Sequence, residues 1–151
     1  MMFKTHMAFA LLVAYTSYHY FPEANFWIFC LLILFGASLP DIDNKRSKIS
    51  HKAKLINKLI NPLTKHRGIF HSIFIPIGLY FLLDAILGGY YGLALSLGYL
   101  SHLVIDGMTP LGVNFLHPIT TLHLRGPIET NSIIEKVLLG SLILVIIIIN
   151  I

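Results

Sequence analysis

FWIFCLLILFGASL at 26–39 runs without a charged residue into PDID at 40–43, and from there into the basic NKRSK of 44–48. The run is apolar all round, as expected of a helix with no face in water. Pro40 limits its continuation, so Asp41 and Asp43 fall in a turn at its end. An apolar helix that ends in metal-type ligands and then in cations is the pattern that recurs along the chain.

Five apolar segments are predicted, at about 7–21, 26–39, 69–87, 90–105 and 133–151. Composition agrees: 56% of residues are hydrophobic, only 12% are charged, and mean hydropathy is +0.76. Soluble domains carry about 25% charged residues, so this chain lacks the means to cover a soluble surface. The first segment follows Lys4 but lacks a small-x-small cleavage site, and reads as a retained helix rather than a signal peptide. The single cysteine, Cys30, excludes an internal disulfide and a cysteine-built zinc site.

All eleven Lys and Arg fall at position 4, within 45–67, or at 125 and 136. The short connectors 22–25 and 88–89 carry none and read as outer turns between antiparallel helices. The long connectors 40–68 and 106–132 then share one side with the N-terminus. By the positive-inside rule that side is cytoplasmic, and the C-terminus lies outside. The net charge of +4 follows from these loops, and no nucleic-acid partner is expected. Within the first connector, 50–61 reads as a short basic helix (Leu55, Ile56, Leu59 and Ile60 at helical spacing). It either lies on an anionic leaflet or packs on the protein. The predicted fold class is all-α: one domain over 1–151, an integral membrane bundle of about five helices, with a polar site at its cytoplasmic ends. Several segments fall short of the ~20 residues that span a bilayer core, and segments one and two could be re-entrant.

Ionisable groups at membrane depth are costly and mark function. Asp41 and Asp43 can reach one cation, although PDID alone reads equally as a helix end and a polar loop. His66 and His71 flank Gly68 at the start of segment three, and neutral imidazoles suit zinc, iron or manganese. Arg67 can grip a phosphate through its planar fork, or simply belong to the basic loop. His102 and Asp106, four apart, project from one helix face as a two-ligand unit or a hydrogen-bonded pair. Ser132 and Glu135 match a capping box, and Glu135 could also support the site from behind. His6 has no local partner; its candidacy rests on starting at the same face. His123 and Arg125 could contact substrate from the second long connector.

Taken in order, these motifs resemble the YdjM/YbcI-type family. They are Thr5-His6, Ser38-Leu39-Pro40-Asp41-Ile42-Asp43, His66-Arg67 with His71-Ser72, Gly98-Tyr99-Leu100-Ser101-His102 with Asp106, and Gly112-Val113. Thr130 to Glu135 resembles the family's T-G-S-x-x-E, with Asn131 in place of its glycine. The resemblance covers nearly the whole chain. It implies a membrane-bound metal-dependent hydrolase and, motif by motif, His6, Asp41, His66, His71, His102 and Asp106 as metal ligands. It implies no substrate.

These donors exceed the needs of one tetrahedral zinc and suit one or two divalent ions such as Zn, Mn or Fe. The predicted function is hydrolysis of a phosphoester or lipid-linked substrate at the cytoplasmic face of the cell membrane. Asp43 or an unligated His is the expected general base, Arg67 the expected phosphate partner and membrane lipid the surroundings. The alternative is a non-enzymatic membrane metal-binding or transport protein; a third is an adaptor acting through its basic loop.

Overall fold

The computed structural model describes residues 1–43, 69–87 and 89–149. The described residues form five α-helices: α1 (Phe3–Tyr18), α2 (Phe26–Ser38), α3 (Phe74–Leu87), α4 (Gly89–Gly107) and α5 (Ile133–Ile149). Two short 3-10 helices, Leu39–Asp43 and Ile69–His71, follow α2 and precede α3. Among the described residues there is no strand; Val113 and Leu124 form an isolated antiparallel bridge. The segment expected as a surface helix at 50–61, with His66 and Arg67, lies outside the described residues.

α4 is the central helix, with α1, α2 and α3 packed around it, while α5 rests on α1. Small residues make this possible. A Cβ on Gly36 would overlap the Leu95 carbonyl oxygen, and one on Gly98 the Ile33 carbonyl oxygen, so α2 and α4 meet backbone to backbone. Ala10, Ala14, Ala37 and Ala94 extend the close packing around Phe29 and Ile33, and all six are fully buried.

The helix ends follow from specific groups. Asn25 caps α2 by accepting from the Trp27 and Ile28 amides at 3.1 and 3.2 Å. α3 starts later than the expected residue 69 because the Ile73 amide donates to the Phe115 carbonyl at 2.8 Å. α1 starts earlier than the expected residue 7, and its N-cap, Met2, offers no side-chain bond to the helix. Glu135 substitutes from across the chain, accepting from the Met2 amide at 2.6 Å and the Thr5 hydroxyl at 3.0 Å. His6 therefore lies within α1 rather than before it.

Among the described residues no helix is long and apolar enough to cross a membrane. α1, α2, α3 and α5 have 16, 13, 14 and 17 residues. At 1.5 Å per residue they reach about 24, 20, 21 and 26 Å, against a hydrocarbon core of roughly 30 Å. α4, with 19 residues, is long enough but carries Ser96, Ser101, His102 and Asp106. The polarity of the molecule is nonetheless turned inward. Nine-tenths or more of His6, His71, Ser101, His102, Asp106 and Glu135 is buried, while Trp27, Leu31 and Phe35 form an exposed stripe on α2.

Candidate metal centre

Five of the predicted ligands converge at one end of the bundle. His6 comes from the second turn of α1, Asp41 from the 3-10 helix after α2, and His71 from the end of the one before α3. His102 and Asp106 come from one face of α4, which runs two residues beyond the expected 105 and so carries Asp106 within the helix. Asp106 is the hub. Its Oδ1 is 3.3 Å from His6 Nε2, and its Oδ2 is 3.7 Å from His102 Nε2 and 3.8 Å from His71 Nε2. The Met1 nitrogen also lies 3.0 Å from Oδ1. Asp41 Oδ1 is 4.0 Å from His102 Nε2 and is the most open of these groups, with 22% side-chain exposure.

His102 carries the chemical argument. Its Nδ1 is 2.7 Å from the Ala37 carbonyl oxygen, which accepts only, so Nδ1 holds the proton. In the neutral ring Nε2 then presents a lone pair. That lone pair is buried and has no hydrogen-bond partner among the described residues. It faces carboxylate oxygens at 3.7 and 4.0 Å, too far for a hydrogen bond even if Nε2 were protonated. Carboxylates and an imidazole lone pair facing one another in a buried site cost free energy unless cations sit among them, and beside Asp106 the described residues supply the Met1 ammonium, 3.0 Å from Oδ1. Two donors each about 2.1 Å from one ion, at the tetrahedral angle, lie about 3.4 Å apart. The separations of 3.3 to 3.8 Å around Asp106 straddle that value. His6, His102 and Asp106 form the tightest group, with one ligand atom from each within 4.8 Å of the others. The donor set thus fits a divalent ion. The rings of His6 and His102 stack at 3.9 Å and 12°, presenting their edges to the same carboxylate.

The supporting shell explains why the ligands hold this pose. The α2–α4 crossing at Gly36 and Gly98 brings the Ala37 carbonyl to His102; an imidazole held through its second nitrogen is the usual arrangement at metal sites. The Tyr99 hydroxyl donates to the Phe70 carbonyl and fixes the turn carrying His71. Glu135 anchors the first turn of α1 through Met2 and Thr5, next to His6. Its own amide donates to Ser132 Oγ at 3.2 Å, one half of a capping box, while its carboxylate accepts from the Asn131 amide. Its carboxylate is taken up by the Met2, Thr5 and Asn131 groups that hold the chain ends together, so Glu135 sits behind the site. Asp43 ends the 3-10 helix after Asp41. His123 and Arg125 are exposed on the loop after α4, with His123 Nδ1 2.9 Å from the Thr121 carbonyl.

Sequence reasoning missed the Ala37 carbonyl and the Tyr99 hydroxyl. A backbone acceptor leaves no mark in residue identity. Tyr99 does leave one, since a buried tyrosine in an apolar helix needs a partner for its hydroxyl.

The profile of the YdjM inner membrane protein family matches residues 1–150. "Uncharacterized protein YvsG" of Bacillus subtilis (strain 168) is 30% identical over 112 residues, covering 72% of this chain and 69% of its own length. "Inner membrane protein YdjM" of Escherichia coli (strain K12), and that of Shigella flexneri, are each 32% identical over 108 residues, 64% of this chain. That match spans 52% of their own length, so the chain aligns with about half of either protein. No solved structure matches.

Proposed function

The chain belongs to the YdjM inner membrane protein family, and on that premise we propose that it is a membrane-bound, metal-dependent hydrolase. Its substrate is a phosphoester or lipid-linked molecule reached at the cytoplasmic membrane face. The observation that carries this reading is the His102 lone pair, fixed by Ala37 and aimed at two carboxylates. His6, His102 and Asp106 are the core ligand set, with His71, Asp41 and His66 completing it for one or two ions. These residues would hold a divalent ion, which would supply Lewis acidity toward a phosphoryl oxygen and a neighbouring water.

The chain's own groups do the rest. Asp43, two residues beyond Asp41, takes the proton of the attacking water on a carboxylate oxygen. Arg67 binds and orients the phosphate through paired N–H donors. The buried walls around His6 and His102 exclude bulk water, and the opening lies on the Asp41 side. A phosphoester is preferred to a carboxylic ester because Arg67 adjoins the ligand motif and no G-x-S-x-G nucleophile motif occurs. The one-sided distribution of Lys and Arg supports a multi-pass placement with a cytoplasmic N-terminus.

One observation favours a second reading, non-enzymatic metal binding or transport. His6, His102 and Asp106 are 1–2% exposed, which suits an ion that is held rather than used. A panel of phosphoesters and lipids, offered to detergent-purified protein, separates the two. The hydrolase reading predicts turnover that is abolished by a chelator, restored by divalent metal and absent in His102→Ala. Metal flux into proteoliposomes with no ester cleaved would overturn it.

A further inference from the structure

The loop joining α4 to α5 is built with its polarity reversed. Asn114 is buried and holds the turn from inside, with Oδ1 accepting from the Leu116 amide at 3.2 Å and the Thr120 hydroxyl at 3.3 Å. Thr109 is also buried, and its carbonyl accepts from the Gly126 amide at 3.1 Å. The Val113–Leu124 bridge closes both sides of the loop with two 3.0 Å hydrogen bonds, and Gly112 at φ 65° lets the chain turn into it. On this fixed frame the large apolar side chains point outward. Leu111 is 68% exposed, Ile119 72% and Leu122 70%, with Leu116 and Leu124 beside them.

In water this arrangement would bury the leucines and expose the asparagine. Part of its backbone is paired internally, including the amides of Val113, Leu116, Ile119, Thr120 and Leu124, which lowers the cost of presenting apolar side chains to a medium that offers few hydrogen bonds. Arg125 follows Leu124 directly and is exposed, as is Lys136 in the first turns of α5. Exposed Ile133, Ile134 and Val137 continue the apolar surface from the loop onto α5. Apolar side chains bordered by cations fit the boundary between acyl chains and anionic headgroups.

We infer that the loop 108–126 is a membrane foot that inserts Leu111, Ile119 and Leu122 into the headgroup–acyl boundary of an anionic leaflet. The inference rests on the family's membrane placement and is independent of any metal chemistry.

The test uses the full chain in vesicles of zwitterionic and anionic phospholipid. Trp27→Phe removes the single tryptophan, and Ile119→Trp or Leu122→Trp is added at positions already exposed, so folding is little disturbed. The foot predicts blue-shifted emission, quenched by lipids brominated near the top of the acyl chain and insensitive to aqueous iodide. Quenching by iodide instead, from open water or beside a partner protein, overturns it. So does strongest quenching by lipids brominated near the bilayer centre. Agreement of the two tryptophan positions excludes an effect private to one variant.

Discussion

Gly98→Ala places one methyl group where the backbones of α2 and α4 meet. Its carbon would lie 2.8 Å from Ile33 Cα and closer still to the Ile33 carbonyl, while ordinary contact starts at 3.4 Å. The carbonyl oxygen, 2.0 Å away, sets the requirement, so the two helices must separate by about 1.4 Å to reach ordinary contact at 3.4 Å. Passed on in full, that shift stretches the 2.7 Å contact between His102 Nδ1 and the Ala37 carbonyl to about 4.1 Å and breaks it. Overpacking of this kind costs roughly 1–3 kcal/mol. Loosening the group that orients a ligand imidazole lowers metal affinity by about 10–100-fold. The assay is competition for metal against a chromophoric chelator, with thermal unfolding followed in the same detergent. Gly140→Ala on α5 is the control. Nothing lies within 4 Å of a Cβ there, and the added helix propensity of about 0.5–1 kcal/mol should leave the protein as stable or more so. A Gly98→Ala protein with wild-type affinity and wild-type unfolding temperature would refute the claim that the crossing positions His102.

Glu135→Ala strips the Met2 amide and Thr5 hydroxyl of their acceptor, and is expected to cost about 1–3 kcal/mol in chemical unfolding and to weaken metal binding through His6. Glu135→Gln keeps one acceptor oxygen and should recover part of both losses. Metal affinity should fall as the solution is acidified, because protons compete with the ion for imidazole nitrogens, and ligand-linked stability should fall with it. Titration calorimetry that is flat across about pH 5 to 8 would contradict this. Arg67→Ala is expected to leave bound metal unchanged and to raise KM for a phosphoester; Arg67→Lys should not restore it, since one ammonium lacks the paired donors.

Much of this was legible in the chain. The apolar runs located all five helices, and chain order with alternating connectors put His6, Asp41, His71, His102 and Asp106 at one end. The boundaries that slipped were those decided by distant residues. α1 begins at Phe3 because Glu135, far along the chain, holds Met2 and Thr5. α3 begins at Phe74 because the Ile73 amide belongs to Phe115. No local periodicity carries either fact. The site's spacing was hidden for a similar reason: sequence parity gives a face, whereas the approach of α2 to α4 depends on Gly36 meeting the Leu95 backbone and Gly98 meeting the Ile33 backbone. The reversed polarity of the 108–126 loop was equally silent, since a mix of Leu, Thr, Asn and Gly does not say which side chains turn inward.

The most direct measurement is elemental analysis of detergent-purified protein beside the Asp106→Asn/His102→Ala double variant, with circular dichroism confirming that both are helical. A metal centre built on Asp106 predicts at least one bound equivalent of zinc, manganese or iron in the wild type, and background levels in the variant. Equal metal content in the two folded proteins would contradict it.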